Sequence, residues 1–180
     1  MAAGGKRQRL SQEVRRAEVI DAALIEFGRR GYDGASTGSI ARRAGVKQPY
    51  IYALFEDKRD LFLSCFESLN SRMLERFREV AVAADSPDDR LRAMGNAYLE
   101  LLEDDEKAVC HLQIFAAGGH EELREPIRRG FEATFAEIAR VSGGSQPEVA
   151  RFFATGMFLN ALTAIGMGED LVDDLRVPKD

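Results

Sequence analysis

Gln48, Pro49, Tyr50 and Tyr52 lie close together on a short predicted helix from Gln48 to Leu54, and their chemistry suits a nucleic acid. A glutamine amide can pair bidentately with adenine in the major groove. Pro49 and Tyr50 can offer apolar contact to a thymine methyl, and the Tyr50 hydroxyl can also reach a phosphate. Such side chains read DNA only if a scaffold holds them outward, and the flanking residues supply one. Ser36 can cap a preceding helix through a free backbone N–H. Ile40, Ala41 and Ala44 then fall on one face. Gly45 tolerates the positive φ that stops a helix and turns the chain sharply. Val46 fills the turn, and Ile51 with Phe55 forms the buried stripe of the second helix. Two short helices joined this way form a helix-turn-helix, whose second helix enters the major groove. Upstream, Val14, Ala17, Ile20, Ala23, Leu24 and Phe27 recur at helical spacing. They predict a helix from about Ser11 to Gly31 that covers the motif from behind. Residues 1–10 are small and basic and are expected to be disordered.

Gly31-Tyr32, Ile40-Ala41, Ala44-Gly45-Val46, Tyr52, Phe55, Lys58 and Leu61 keep a fixed order and spacing behind the helix AEVIDAALIEFGRRGY. This stretch resembles the DNA-binding domain of the TetR family of bacterial transcriptional regulators, over roughly the first third of the chain. The resemblance implies that Tyr52 and Lys58 contact phosphate and that Thr37 approaches it from the start of the preceding helix. Phosphate contacts hold register, whereas base contacts specify. Ser36 and Lys47 border this set and are counted with it; Arg42 and Arg43 are read as a solvated face. Three positions depart from the family pattern: Gly38 where a longer polar side chain is usual, Leu54 in place of an aromatic or histidine, and a bulky Tyr50. They bear on which operator is read, not on the mode of binding.

At 180 residues, 45% hydrophobic and 31% charged, the composition is that of an ordinary globular protein. Five prolines, no tryptophan and abundant Leu, Ala, Glu and Arg predict helices throughout. The net charge of −5 divides unevenly: residues 1–60 carry 12 Lys/Arg against 8 Asp/Glu, and residues 61–180 carry 13 against 22. A basic end on an acidic body fits a chain that meets phosphate at one end only. Cys65 and Cys110 lack metal-ligand spacing and read as buried, reduced thiols. The basic N-terminus is not followed by an apolar segment, and the longest uncharged run, Phe152 to Gly168, is short and polar for a membrane span. A cytoplasmic location is expected.

Beyond the motif the pattern predicts a long bridging helix from about Lys58 to Ala84, then helices to about Leu102, from Asp105 to Ala117, from Glu121 to Val141, and from Pro147 to about Gly168. At most a short turn is expected in the tail from Glu169. The expected fold is all-α: an N-terminal arm and three-helix helix-turn-helix domain over 1–57, joined to a helical effector-binding and dimerisation domain over 58–180. The last helix is apolar on more than one side, with Ala154, Gly156 and Ala164 permitting close approach. Such a helix is buried on several faces, and the resemblance implies a homodimer built on the last two long helices. Met94, Tyr98, His111, Phe115, Phe131, Phe135, Phe153, Met157 and Asn160 are candidates to line a pocket for an apolar ligand, although core packing explains any one of them equally well. With one histidine per helix, no metal set forms; no catalytic arrangement or cofactor loop stands out. The reading is therefore a DNA-binding repressor, not an enzyme, that holds a palindromic operator as a homodimer and is released by a small apolar ligand. The alternative is a helical protein-interaction module whose head does not bind DNA.

Overall fold

The computed structural model of the chain describes residues 2–102 and 105–167, with side chains over 12–102 and 109–167. Among the described residues are eight helices and no strand: α1 (Ala2–Gly34), α2 (Thr37–Arg43), α3 (Gln48–Leu54), α4 (Lys58–Ala81), α5 (Pro87–Leu102), α6 (Asp105–Ala117), α7 (Glu121–Ser142) and α8 (Gln146–Ala164). Local chemistry accounts for the boundaries. The Ser36 hydroxyl accepts from Ser39 N, and the Ser39 side chain accepts from Ser36 N, a reciprocal cap on α2. Asp57 caps α4 by accepting from Asp60 N at 2.7 Å, and Ser86 caps α5 by accepting from Asp89 N at 3.1 Å. Gly143 ends α7 at φ +70°.

α1 differs from its expected course at the start. It begins at Ala2, so residues 2–10 are helical where disorder was expected. Val14 is 55% exposed and Ala17 is exposed as well, so the buried apolar face of α1 begins at Val19, with Arg16 lying over the Phe55 ring before it. Helical geometry breaks at Gly31, with φ +66°. The tail beyond residue 167 lies outside the described residues.

Two apolar cores form, and their division does not follow the helix-turn-helix boundary. The first gathers Leu24, Phe27, Ile40, Ile51, Phe55, Leu61 and Phe62 with Cys110 and Ile114 of α6 and Leu123 and Ile127 of α7. Phe27 and Phe62 meet edge to face at 4.8 Å; truncating either fully buried ring would cost about 3–5 kcal/mol. The second core joins Met73 and Phe77 of α4 to Met94, Tyr98 and Leu99 of α5, Ile138 of α7, and Val149 and Leu159 of α8. α4 therefore belongs to both cores, and α6 lies along α1. Pro126 sits inside α7 and leaves the Glu122 carbonyl without its helical partner. Arg59 Nε at the start of α4 donates to that carbonyl at 3.1 Å, which ties the two helices together. Cys65 and Cys110 are buried and free. No helix among the described residues is long and apolar enough to cross a membrane.

Candidate functional site

α2 and α3 pack through Ile40, Ala41 and Ile51, which are fully or almost fully buried. Gly45 takes φ +67° in the turn, and Val46 N donates to Ala41 O at 2.9 Å to close it. That geometry leaves Lys47, Gln48, Pro49, Tyr50 and Tyr52 exposed. Thr37 is the exception among the candidates: it is buried, and its hydroxyl joins the two helices. Gln48 Nε2 donates to Thr37 Oγ1 at 2.9 Å, and the Thr37 and Tyr52 hydroxyls share a hydrogen bond of 3.0 Å. Gly38 adjoins the same amide, with room for its oxygen at 3.7 Å from where a Cβ would stand. Ser36 is exposed at the cap. Lys58 is half-buried; its Nζ donates to the Tyr32 carbonyl at 3.0 Å and lies 4.5 Å from the centroid of the Tyr32 ring. Arg43 turns back to the buried Glu26 carboxylate, which also pairs with Arg30 at 3.0 Å.

A second feature opens between α4, α5, α6, α7 and α8. It is an apolar cleft of about 50 Å³ lined by rings and methionines. Of the nine candidates, Tyr98, His111, Phe115, Phe131, Phe153, Met157 and Asn160 line it. Two do not. Met94 is fully buried in the second core, and Phe135 stands behind the wall, stacked on Phe153 at 5.3 Å. Phe66, Asn70, Met73 and Phe77 of α4, Thr134 and Ile138 of α7, and Phe152 of α8 also line the cleft without having been candidates, as does Gly156, which the sequence pointed to only for close helix approach. A stripe that faces a cleft and a stripe that faces a core share one periodicity, so only the packing separates them. Outside the cleft, Phe66 and Asn70 also border a groove of about 340 Å³ between α4 and α7. The Phe66 ring lies so close to Gly130 that any Cβ there would overlap it.

The polar groups of the cleft are unequal. The Tyr98 hydroxyl donates to Asn160 Oδ1 at 2.9 Å, and burial pushes its pKa up to about 12. The Thr134 hydroxyl donates to the Gly130 carbonyl at 2.8 Å. His111 is different: both ring nitrogens are shut off from solvent and have no hydrogen-bond partner. Burial alone lowers its pKa to about 4, so the imidazole is neutral at pH 7.

α6 connects the cleft to the DNA-reading end. His111 faces the cleft, Ile114 enters the first core, and Gln113 lies against the backbone of Gly31. A Cβ at position 31 would stand 2.9 Å from Gln113 Oε1, the movable end of a flexible side chain, so it is the positive φ that favours glycine there. Just beyond α6, His120 lies 3.2 Å from the Asp33 carboxylate and packs edge-on against Tyr32. Tyr32 in turn accepts the Lys58 hydrogen bond. No cluster of three or more metal-ligating side chains occurs among the described residues.

Residues 19–65 match the family described as bacterial regulatory proteins, tetR family. The HTH-type transcriptional activator FasR of Mycolicibacterium smegmatis is 33% identical over 166 residues, covering 86% of this chain and 73% of that protein. The fatty acid metabolism regulator protein of Bacillus subtilis is 27% identical over 110 residues, 61% of this chain and 57% of that one. The fold is shared with the transcriptional regulator FadR from Bacillus subtilis, solved in complex with stearoyl-CoA, at a TM-score of 0.68 and 20% identity over 89% of each chain. With a relative of this identity aligned over most of both lengths, and a family match across the helix-turn-helix, the chain belongs to the TetR family of bacterial transcriptional regulators, DNA-binding proteins and not enzymes.

Proposed function

We propose that the protein binds a palindromic operator as a homodimer, represses transcription from it, and is released when an apolar ligand occupies the cleft between α4 and α8. In this reading residues 1–57 are the DNA head and 58–180 the sensing and dimerising body, working in the cytoplasm where the operator is. The observation that carries it is α3, which presents Gln48 beside Pro49 and Tyr50, with Tyr52 one turn on, from a rigid helix-turn-helix. Gln48 reads a base edge; Tyr52, Lys58 and Thr37 serve phosphate contact or position the groups that make it. Ser36 and Lys47 flank them.

One head alone buries little surface, so specific binding calls for two heads on two half-sites. α8 offers the surface for pairing. Ala154, Phe158, Ala161 and Ile165 recur at helical spacing, and all four are exposed, Phe158 at 54% and Ile165 at 68%. An apolar stripe of this kind on an outward face fits a second copy of the chain.

The ligand class follows from the cleft and from the relatives. Aromatic and methionine walls suit an aliphatic chain, and one relative is a fatty acid metabolism regulator while the fold is shared with a regulator that holds stearoyl-CoA. An acyl chain is therefore the favoured effector. A cleft of about 50 Å³ falls well short of the roughly 300–1,000 Å³ of ligand pockets. Entry must displace rings from α4, α7 or α8, and that displacement is the differential contact a switch needs. One relative is named an activator, so the sign of regulation is read by experiment at the operator itself.

Selection of bound duplexes from a random library tests the reading. A recovered palindrome whose affinity falls steeply with salt supports it, because phosphate contacts release counterions. A pool without enrichment, or binding indifferent to salt, overturns it in favour of a protein-docking head. A promoter fusion carrying the recovered operator then reads repression or activation directly.

A further inference from the structure

The cleft contains no Asp, Glu, Lys or Arg among its lining residues. The Tyr98 hydroxyl donates to Asn160 Oδ1, Thr134 is satisfied by its own helix, and the Asn70 and Asn160 amides add only uncharged groups. His111 stands apart, because its Nδ1 and Nε2 are both buried and both without a partner. A buried polar group left unpaired is costly, and two on one ring of a residue that lines an apolar cleft call for an explanation. A neutral imidazole offers one donor and one acceptor. It has no charge with which to compensate an anion, and burial resists its gaining one. A carboxylate drawn into this cleft would lose its water and find no cation.

Resting on the proposed role of the cleft as a ligand site, we propose that His111 anchors an aliphatic ligand through an uncharged oxygen, an alcohol or an ester-type carbonyl, and that the cleft rejects the free carboxylate. The donor nitrogen meets a carbonyl or hydroxyl oxygen, and the acceptor nitrogen can take a hydroxyl proton. An acyl chain accordingly binds here as its ester or thioester, with any charged portion of the molecule outside the cleft, not as the free acid.

Calorimetric titration of the full-length protein at pH 7.5 with 1-octanol, methyl octanoate and sodium octanoate tests this. The alcohol and the ester are expected to bind at least about 10-fold more tightly than the carboxylate. His111→Leu, close to isosteric, is expected to weaken the alcohol and the ester about 5- to 10-fold, in line with the loss of one hydrogen bond. His111→Gln keeps a donor and an acceptor and should restore most of the affinity. Octanoate binding as tightly as octanol overturns the charge exclusion. Unchanged affinities in both variants overturn the anchor while leaving the ligand site standing. Binding of none of the three probes removes the ligand site itself, and the anchor with it. If His111→Leu fails to fold, His111→Met, which also lacks a strong donor and acceptor, takes its place with the same expected loss.

Discussion

The Gln48 side-chain amide is tied to the buried Thr37 hydroxyl at 2.9 Å, across the turn of the helix-turn-helix. The same hydroxyl shares a hydrogen bond with Tyr52 at 3.0 Å. One threonine thus sets the poses of the proposed base reader and of a proposed phosphate contact before DNA arrives, which reduces the ordering cost of binding. Thr37→Val keeps the shape and removes both bonds. It is expected to weaken operator binding about 5- to 30-fold, equivalent to about 1–2 kcal/mol, with little change in helicity. Fluorescence anisotropy with the selected operator, alongside circular dichroism, measures both; undiminished affinity would mean that the hydroxyl positions nothing that matters.

Gln48, Tyr52 and Lys58 separate by role. Gln48→Ala should cost about 1–3 kcal/mol at one base pair and relax preference there, while Tyr52→Ala should weaken binding to all duplexes alike. Lys58→Ala carries a second effect, because the Lys58 ammonium also holds the Tyr32 carbonyl and ring. Its loss should lower thermal stability by about 1 kcal/mol as well as lowering affinity. Binding profiles over single-base operator variants, with melting curves for each protein, distinguish the three. Identical profiles for all of them would defeat the division of roles.

The head was largely legible because its information is local. Ser36 and Gly45, with Ile40 and Ile51, fix caps, turn and buried faces within a few residues of one another, and α2 and α3 fall where those signals put them. The body was legible in its helix boundaries and less so in its surfaces. Val14 continues the apolar spacing of α1, but the body does not extend far enough to cover it. Met94 and Met157 look alike in sequence; one faces the core and the other the cleft. The contacts that link the two ends, Gln113 on Gly31 and Arg59 on Glu122, join residues far apart in the chain and leave no periodic trace.

Pairing through α8 predicts a specific failure. Phe158→Asp places a charge in the middle of the exposed stripe without touching either core. Sedimentation equilibrium is expected to show monomers where the wild type shows dimers. Affinity for the full palindrome should drop to that for an isolated half-site, since the second head no longer comes with the first. A variant that still sediments as a dimer would move the interface elsewhere.

Tyr98 and Asn160 form the buried polar link between α5 and α8. Tyr98→Phe leaves the Asn160 oxygen without its donor in a residue that is only 2% exposed. The expected cost is about 1–3 kcal/mol, read as a fall of roughly 3–10 °C in Tm at this chain length. Differential scanning calorimetry at fixed protein concentration checks it, since oligomerisation makes Tm concentration-dependent. An unchanged Tm would show that another donor replaces the tyrosine.

His111 sets a pH window for stability. Its pKa is lowered by burial from the usual 6.5 to about 4 in the native protein. Above pH 6.5 the ring is neutral in both states, and its contribution does not vary. As pH falls below 6.5 the unfolded chain takes up a proton that the native chain refuses, so stability falls with pH and levels off below about 4. A shift of this size corresponds to about 3 kcal/mol. Acidic ion pairs do not confuse the upper part of this window. Glu137, whose pKa the Arg140 and Arg78 hydrogen bonds lower to about 2, contributes fully above its ordinary value of 4.5 and is lost only as pH falls further. Urea unfolding at pH 7.0, 5.5 and 4.5, at one protein concentration, should show wild type losing stability relative to His111→Gln as the pH falls. Parallel losses in the two proteins would mean that the His111 ring reaches solvent and takes up its proton in the native state.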